Sequence, residues 1–333
     1  MIDRRHHERF RELLDSAHRF VLTTHVNPDG DAIGTEVGLE RFLISRGHGV
    51  RVINQDPTPP FLKFVEAQDR AVEVYEPSRH DPVLAEADLL VLLDNSAPDR
   101  LGRMERVMCA SAGKTLCIDH HPTRETPWRH NILDEAACAT AAMLYELTRA
   151  CGWTPDRVGA QALYVGLATD TGFFRFNSTV PRTHEIAGEL LALGVDPALC
   201  YREVYERNSA AHTRLLGHAL AGLRLDAGGA LATIRITREM VERCHAESVD
   251  TSEMTTALLA TDGVRIALLL RELEDGRVKV SLRSKGDLDV HRLASGFGGG
   301  GHRNASGIVL PGTIERIEAE VIARATELLA DGR

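Results

Sequence analysis

The sequence predicts an α/β fold: a parallel sheet with helices on both faces, a helical connection, and a smaller mixed α+β C-terminal domain. Three observations predict it. Short apolar runs alternate with helical patterns through the first half. One such run, Leu89–Leu93 (LLVLL), is apolar at every position, as in a strand buried on both faces. In the second half, a long apolar run breaks at Asp275-Gly276 and resumes at Arg277, a tight hairpin foreign to a purely parallel sheet.

The elements follow in order. Phe20–Thr24 (FVLTT) reads as the first strand, and Ala32–Arg46 as a helix ended by Gly47. Val50–Asn54 and Thr115–Ile118 are further strands. Ala136–Ala150 and Arg157–Thr169 read as helices, the first stopped at Gly152 and the second preceded by Pro155. Pro181 to His218 is helical and reads as the connection. Beyond it, Leu231–Ile236 is a strand, Glu253–Ala260 a helix, and Val264–Glu272 a long strand paired with Arg277–Arg283. Gly296–Gly301 reads as a glycine-rich loop, Ile308–Leu310 as a short strand and Ile314–Leu329 as a closing helix. The implied organisation is a first domain over 1–190, a helical linker over 191–217 and a second domain over 218–333.

A chain of 333 residues is long enough for two such domains. Its 39 Lys and Arg against 48 Asp and Glu give a net charge of −9. That balance counts against basic-tail nucleic-acid binders and polybasic membrane binders. A polyanionic substrate must therefore be held by a local positive patch or by metal ions. Aromatic residues are only 5%, which argues against a long base-stacking groove. Six cysteines lie apart with no C-x-x-C pair, as expected for reduced thiols of a cytoplasmic protein. The charged N-terminal stretch has no apolar core of a signal peptide, and no apolar run approaches the ~18 residues of a membrane span.

Polar clusters follow the predicted strands, where open α/β sheets place their ligands. The first is His25-Val-Asn-Pro-Asp29-Gly-Asp31, between a strand and a helix. Carboxylate oxygens suit hard divalent cations, and a histidine nitrogen shifts the preference from Mg²⁺ toward Mn²⁺. Gly30 would permit a turn aiming both aspartates at neighbouring ions. The competing reading is an Asx-rich helix cap. The second cluster is Asp94-Asn95-Ser96, directly after LLVLL, where an aspartate could bridge two metals or merely cap a turn. The third is Asp119-His120-His121-Pro122, after TLCI. One histidine could bind a metal and the other a substrate oxygen, while Asp119 orients a ligating imidazole. The fourth is Asp170-Thr171-Gly172, followed by Phe173-Phe174-Arg175-Phe176. Asp170 is a further candidate ligand, Arg175 could pair with a phosphate, and the phenylalanines read as packing. A two-metal site needs about this many ligands, with ions ~3.5–4 Å apart to clamp a phosphoryl group.

A fifth cluster lies in the second half: Arg283, then Gly298 to Gly301, His302-Arg303-Asn304-Ala-Ser306-Gly307. Glycine backbone N–H groups can nest an anion, and Arg283 and His302 can add charge-assisted bonds. A flexible linker is the alternative, but the polar run leads straight into a strand.

Together these motifs resemble the DHH phosphoesterase superfamily, named for a motif matched by Asp119-His120-His121. The matching stretches are HVNPDGDAIG, LLDNS, IDHHP and ATDTGFFRF, with GGGGHRNASG resembling the DHH-associated C-terminal domain. The pairing looks most like the NrnA-type nanoRNase and pAp phosphatase branch, which shares its layout with cyclic-dinucleotide phosphodiesterases. The resemblance implies one metal on His25, Asp29 and Asp94, and a second on Asp31, Asp94, His120 and Asp170. The ions would be Mn²⁺, with Mg²⁺ or Co²⁺ as alternatives. An activated water would attack the phosphorus in line, with His121 on the phosphate and Asp94 bridging. Arg283, His302, Ser306, Arg175 and the Gly299, Gly300 and Gly301 backbone would hold the substrate. The implied substrate is a very short oligoribonucleotide or pAp, and the implied assembly a homodimer. A cyclic dinucleotide or its linear product is the leading alternative. RecJ-like strand tracking, pyrophosphate hydrolysis and a dead nucleotide-binding regulator rank below these.

Overall fold

The computed structural model describes residues 3–66, 70, 72–122 and 126–331. The chain divides into two compact units between Arg207 and Asn208.

The first unit begins with helix α1 (Arg4–Ser16), a segment the sequence pattern leaves unassigned because its apolar face is only Phe10, Leu13 and Leu14. Strand β1 (Arg19–Thr23), helix α2 (Gly30–Ser45) and strand β2 (Gly49–Asn54) follow. Next come β3 (Glu73–Val74), α3 (Pro77–Glu86), β4 (Leu89–Leu93), α4 (Glu105–Ala110), β5 (Thr115–Asp119) and β6 (His130–Leu133). Helices α5 (Thr140–Ala150), α6 (Arg157–Asp170), α7 (Pro181–Ala192) and α8 (Pro197–Tyr205) complete it.

Among the described residues, six strands form one parallel sheet in the order β3-β2-β1-β4-β5-β6. Strand β4 shows why it is apolar throughout. Leu89, Val91 and Leu93 enter the core beneath the helices α1, α2, α5 and α6. Leu90 and Leu92 enter a second core with Leu84, Leu101, Met104 and Met108 on the opposite face. Side chains alternate faces along a strand, so a strand covered on both sides needs no polar position. The strand order reverses between β1 and β4. At such a switch point the connections leave in opposite directions and open a crevice at the carboxyl ends of the strands. His25 follows β1 and Asp94 follows β4, so both stand at that crevice.

Two sequence expectations change here. The helix expected from Ala136 starts at Thr140, and the residues before it turn. Gly30 is not a turn glycine: it opens α2, and a Cβ there would lie 2.3 Å from Thr169 Oγ1. Its smallness serves the packing of α2 on α6.

The second unit contains α9 (Ala210–Ala221), β7 (Arg224–Asp226), β8 (Leu231–Ile236), α10 (Arg238–Cys244), α11 (Thr255–Leu259) and β9 (Ile266–Glu272). It continues with β10 (Arg277–Ser284), α12 (Val290–Ser295), β11 (Gly300–His302), β12 (Ala305–Pro311) and α13 (Ile314–Ala330). The sheet order is β11-β12-β10-β9-β8-β7, mixed as expected, with only β8 and β9 parallel. Gly276 takes φ 79°, as a tight β9–β10 turn requires. The stretch 191–217 holds the end of α7, all of α8 and the start of α9, and the division between the units falls inside it.

Candidate metal centre

Four strand- or helix-terminal segments of the first unit bring His25, Asp29, Asp31, Asp94, His120 and Asp170 together. His25 Nε2 lies 3.9 Å from Asp29 Oδ2 and 3.7 Å from Asp94 Oδ2. His120 Nε2 lies 3.6 Å from Asp94 Oδ1, 3.2 Å from Asp170 Oδ2 and 4.0 Å from Asp31 Oδ2. Asp94 thus turns one oxygen toward each imidazole.

The two imidazoles are set in the same way. His25 Nδ1 lies 2.8 Å from the Val26 carbonyl, and His120 Nδ1 lies 3.2 Å from the Ala137 carbonyl. A carbonyl only accepts, so each Nδ1 carries a proton, and in the neutral ring each Nε2 keeps its lone pair. Both Nε2 atoms are buried without a hydrogen-bond partner among the described residues. A buried acceptor aimed at carboxylates is costly unless a cation stands between them. Donors held at ~2.1 Å by one ion stand ~3 Å apart when adjacent and ~4.2 Å when opposite. The separations here fall in that interval. The four carboxylates carry four negative charges, which two divalent ions would neutralise. The residues present therefore fit two divalent cations.

Three of the carboxylates also have a second tie. Asp29 caps α2, its Oδ1 accepting from the N–H groups of Asp31 and Ala32, while its Oδ2 faces His25. Cap and candidate ligand are thus the same residue. Asp31 is buried and receives the Thr140 N–H at 2.6 Å and the Ala141 N–H at 2.9 Å. These are free first-turn donors of α5, whose N-terminus favours an anion. Thr140 Oγ1 donates to Asp94 Oδ1 at 2.9 Å. Thr140 escaped the sequence reading because a lone threonine among alanines carries no metal-site signal. Asp94 itself holds φ 56°, a left-handed conformation that costs about 1–3 kcal/mol outside glycine.

Burial raises the carboxyls of Asp31 and Asp94 above their ordinary range, and their acidic neighbours add to it. Burial, with Asp31 next, pushes Asp170 up to about 8. Burial lowers His25. Burial also opposes the charge on His120, but Asp31 and Asp170 outweigh it and the ring is raised. A raised carboxyl binds its proton more tightly in the fold. That stabilisation is complete below the ordinary aspartate value of about 4 and is lost as pH rises through the folded value. Metal-free protein is therefore expected to melt lower as pH climbs from about 5 to about 8.5. A divalent ion at 100 times its Kd should add about 2.7 kcal/mol, or about 5–11 °C for a unit this size. The gain should be larger at pH 8 than at pH 5, because ions and protons compete for the same oxygens. A pH-independent gain in a thermal-shift series would contradict this.

His121 stands apart in role. Its Nδ1 donates to Asp119 Oδ1 at 2.8 Å, and its backbone N–H reaches the same oxygen at 3.1 Å. Nδ1 is therefore not a free ligand, although it lies 3.6 Å from Asp94 Oδ1. Burial raises the Asp119 carboxyl, but the His121 and Ser96 hydrogen bonds and the His121 charge outweigh it and hold it low. Asp119 orients His121, while Ala137 orients His120.

Arg175 is exposed and stacks its guanidinium over Phe176, 5.4 Å from the ring centre. Phe173 packs edge-on against Tyr201 and Tyr205, and Phe174 stacks on His184, in line with the packing reading. In the second unit, Arg283 sits on β10 opposite Ala305, and Ser306 is buried on β12 opposite Gly301. The expected glycine loop is partly strand: Gly300 and Gly301 belong to β11. A Cβ on Gly299 would meet Gly307 O at 2.3 Å, and one on Gly301 would meet Ala305 O at 2.5 Å. These glycines admit a close backbone. The Gly299 N–H is already donated to Ala294 O, so it is not open to an anion. The His302 side chain lies outside the described residues.

The profile of the DHH family, N-terminal domain, matches residues 19–167, and that of the DHHA1 domain matches residues 239–331. The bifunctional oligoribonuclease and PAP phosphatase NrnA of Thermus thermophilus is 35% identical over 295 residues, covering 87% of this chain and 84% of that protein. The chain belongs to the DHH phosphoesterase family. A crystal structure of an exopolyphosphatase-related protein from Bacteroides fragilis superposes on this DHH phosphoesterase with a TM-score of 0.93 at 33% identity, over 98% of this chain and 97% of that one. The cyclic-di-AMP phosphodiesterase GdpP of Geobacillus thermodenitrificans is 26% identical over 306 residues, 88% of this chain and 44% of that protein. DHH phosphoesterases are metal-dependent hydrolases, which agrees with the donor set above. No helix among the described residues is long and apolar enough to cross a membrane.

Proposed function

We propose that this DHH phosphoesterase hydrolyses very short oligoribonucleotides to mononucleotides and removes the phosphate from pAp, using two Mn²⁺ ions. The observation that carries the reading is the pair of orphaned, tautomer-fixed imidazoles on either side of Asp94, together with the likeness to the NrnA relative. His25, Asp29 and Asp94 would hold one ion, and Asp31, Asp94, His120 and Asp170 the other. Bound divalent ions lower the pKa of a water and draw charge from the phosphoryl oxygens. The residues of the chain do the rest. Val26 and Ala137 lock the two ligating rings. Thr140 and the α5 N-terminus hold Asp94 and Asp31 in place. The buried Asp119 accepts from His121 Nδ1 and so orients the ring, whose Nε2–H, present in the imidazolium, would donate to a substrate phosphate oxygen. Arg283, Gly300, Gly301, His302 and Ser306 of the second unit, and Arg175 of the first, would be substrate-binding residues. The net charge of −9 supports a substrate held by ions and local groups, and opposes tracking along long strands. Six free cysteines, four of them buried, accord with a cytoplasmic protein. A homodimer completes the reading, and light scattering would check it.

The likeness to GdpP favours a second reading, in which a cyclic dinucleotide or its linear product is the substrate. The chemistry is the same. The test is hydrolysis of a dinucleotide RNA, pAp and cyclic di-AMP side by side, with Mn²⁺ and with EDTA. The first reading expects the dinucleotide to have the highest kcat/KM, and a preference for cyclic di-AMP would select the second. His120→Ala combined with His121→Ala is expected to cost about 10³-fold or more, roughly 4 kcal/mol, with the melting profile of a folded protein. Turnover by this variant near the wild-type rate would rule out the metal assignment.

A further inference from the structure

Beneath the metal centre runs a buried polar chain that the chemistry above does not use. Glu36 lies on α2 and is fully buried, as is Asn54 at the end of β2. Asn54 Nδ2 donates to Glu36 Oε2 at 2.8 Å. Asn54 Oδ1 accepts the Thr24 N–H at 3.3 Å. Thr24 Oγ1 in turn donates to the Leu93 carbonyl at 2.8 Å. Thr24 precedes His25, and Leu93 precedes Asp94. The chain of bonds therefore ends on the backbone beside two candidate ligands of one ion.

Burying a carboxyl in this way is expensive, and an apolar side chain would serve packing better. Glu36 Oε1 has no hydrogen-bond partner among the described residues, so the group is not there to complete a satisfied network. Its effect is directional. A carboxamide alone can turn either its oxygen or its NH₂ to a neighbour. An acceptor at Glu36 draws the NH₂ and so presents the oxygen to the Thr24 N–H. We infer that Glu36 and Asn54 are positioning residues that set the His25 and Asp94 side of the metal centre. The inference rests on the metal reading proposed above. Burial pushes the Glu36 carboxyl up to about 8, and glutamine is its near-isostere.

The test is calorimetric titration of the full chain with Mn²⁺, without substrate. In Glu36→Leu and Asn54→Ala, one of the two binding events should weaken about 10–100-fold, the usual effect of removing a group that orients a ligand. The other event, which shares only Asp94 with this side, should weaken less. Glu36→Gln should bind both ions within about threefold of wild type, because its carbonyl still accepts from Asn54. In hydrolysis assays, E36L and N54A should need about 10–100-fold more Mn²⁺ for half-maximal rate, with kcat at saturation within about threefold. If E36L does not melt cooperatively, N54A decides alone, since it only removes atoms. Unchanged Mn²⁺ binding in the variants, or a loss in E36Q as large as in E36L, overturns the positioning role alone. Wild-type protein that takes up no Mn²⁺ overturns the metal reading and this inference with it.

Discussion

Asp94→Asn is expected to lower kcat/KM by about 10³-fold or more and to leave the fold intact. The two oxygens of Asp94 face different imidazoles, Oδ2 toward His25 and Oδ1 toward His120. Asparagine keeps the shape but turns an NH₂ group, a donor, toward one of them. In the proposed centre, one ion would lose a ligand outright and the other would lose a negative charge. The loss of about 4 kcal/mol of transition-state stabilisation corresponds to that rate. Two features keep the variant folded. Asparagine tolerates the left-handed φ of 56° at this position. The carboxylate is itself a liability without metal, since burial and then Asp31, Asp29 and Asp170 hold its carboxyl well above the usual range. Metal-free D94N should therefore melt no lower than metal-free wild type at pH 8, and should gain less on adding Mn²⁺. A variant within tenfold of wild-type activity would contradict the bridging role.

Gly34→Val is expected to have the largest effect on stability. Helices α2 and α6 approach so closely that a Cβ on Gly34 would lie 2.4 Å from the Ala162 carbonyl and 2.9 Å from the Gly166 nitrogen. Both obstacles are backbone and cannot swing aside. Gly30 and Gly38 face the same helix, at Thr169 and Leu163. Forcing a branched side chain between the helices should cost about 3 kcal/mol, or about 6–12 °C in Tm for a unit of this size. The cost should also reach the site. Asp31 and Asp170 sit on α2 and α6, and a Cβ on Gly166 would stand 2.9 Å from Asp31 Oδ1. Mn²⁺ affinity should fall together with Tm. A Tm within about 2 °C of wild type would show that the helices can separate freely.

The positions of the acids and histidines are legible because apolar strands end abruptly in them. LLVLL runs into Asp94 and TLCI into Asp119-His120-His121, so the sheet rule alone gathers these residues at one edge. The tautomers are not legible. That His120 answers to Ala137 and His121 to Asp119 depends on how the chain turns after β5. The support beneath the site is hidden for a similar reason. Thr140, Glu36 and Asn54 act through partners 18 to 109 residues away, and each alone reads as an ordinary helix or strand residue. Glycines mislead twice. Gly30 looks like a turn residue and Gly299 like part of a phosphate nest, yet both make room for a neighbouring backbone or side chain. Spacing in sequence reveals which groups could meet, and packing decides what each glycine is for.

The most direct test is a crystal of the full chain soaked in Mn²⁺, with anomalous scattering recorded at the manganese edge. Two peaks are expected, one against His25, Asp29 and Asp94 and one against Asp31, Asp94, His120 and Asp170, with Asp94 touching both. A single peak, or two peaks that do not share Asp94, would contradict the proposed centre.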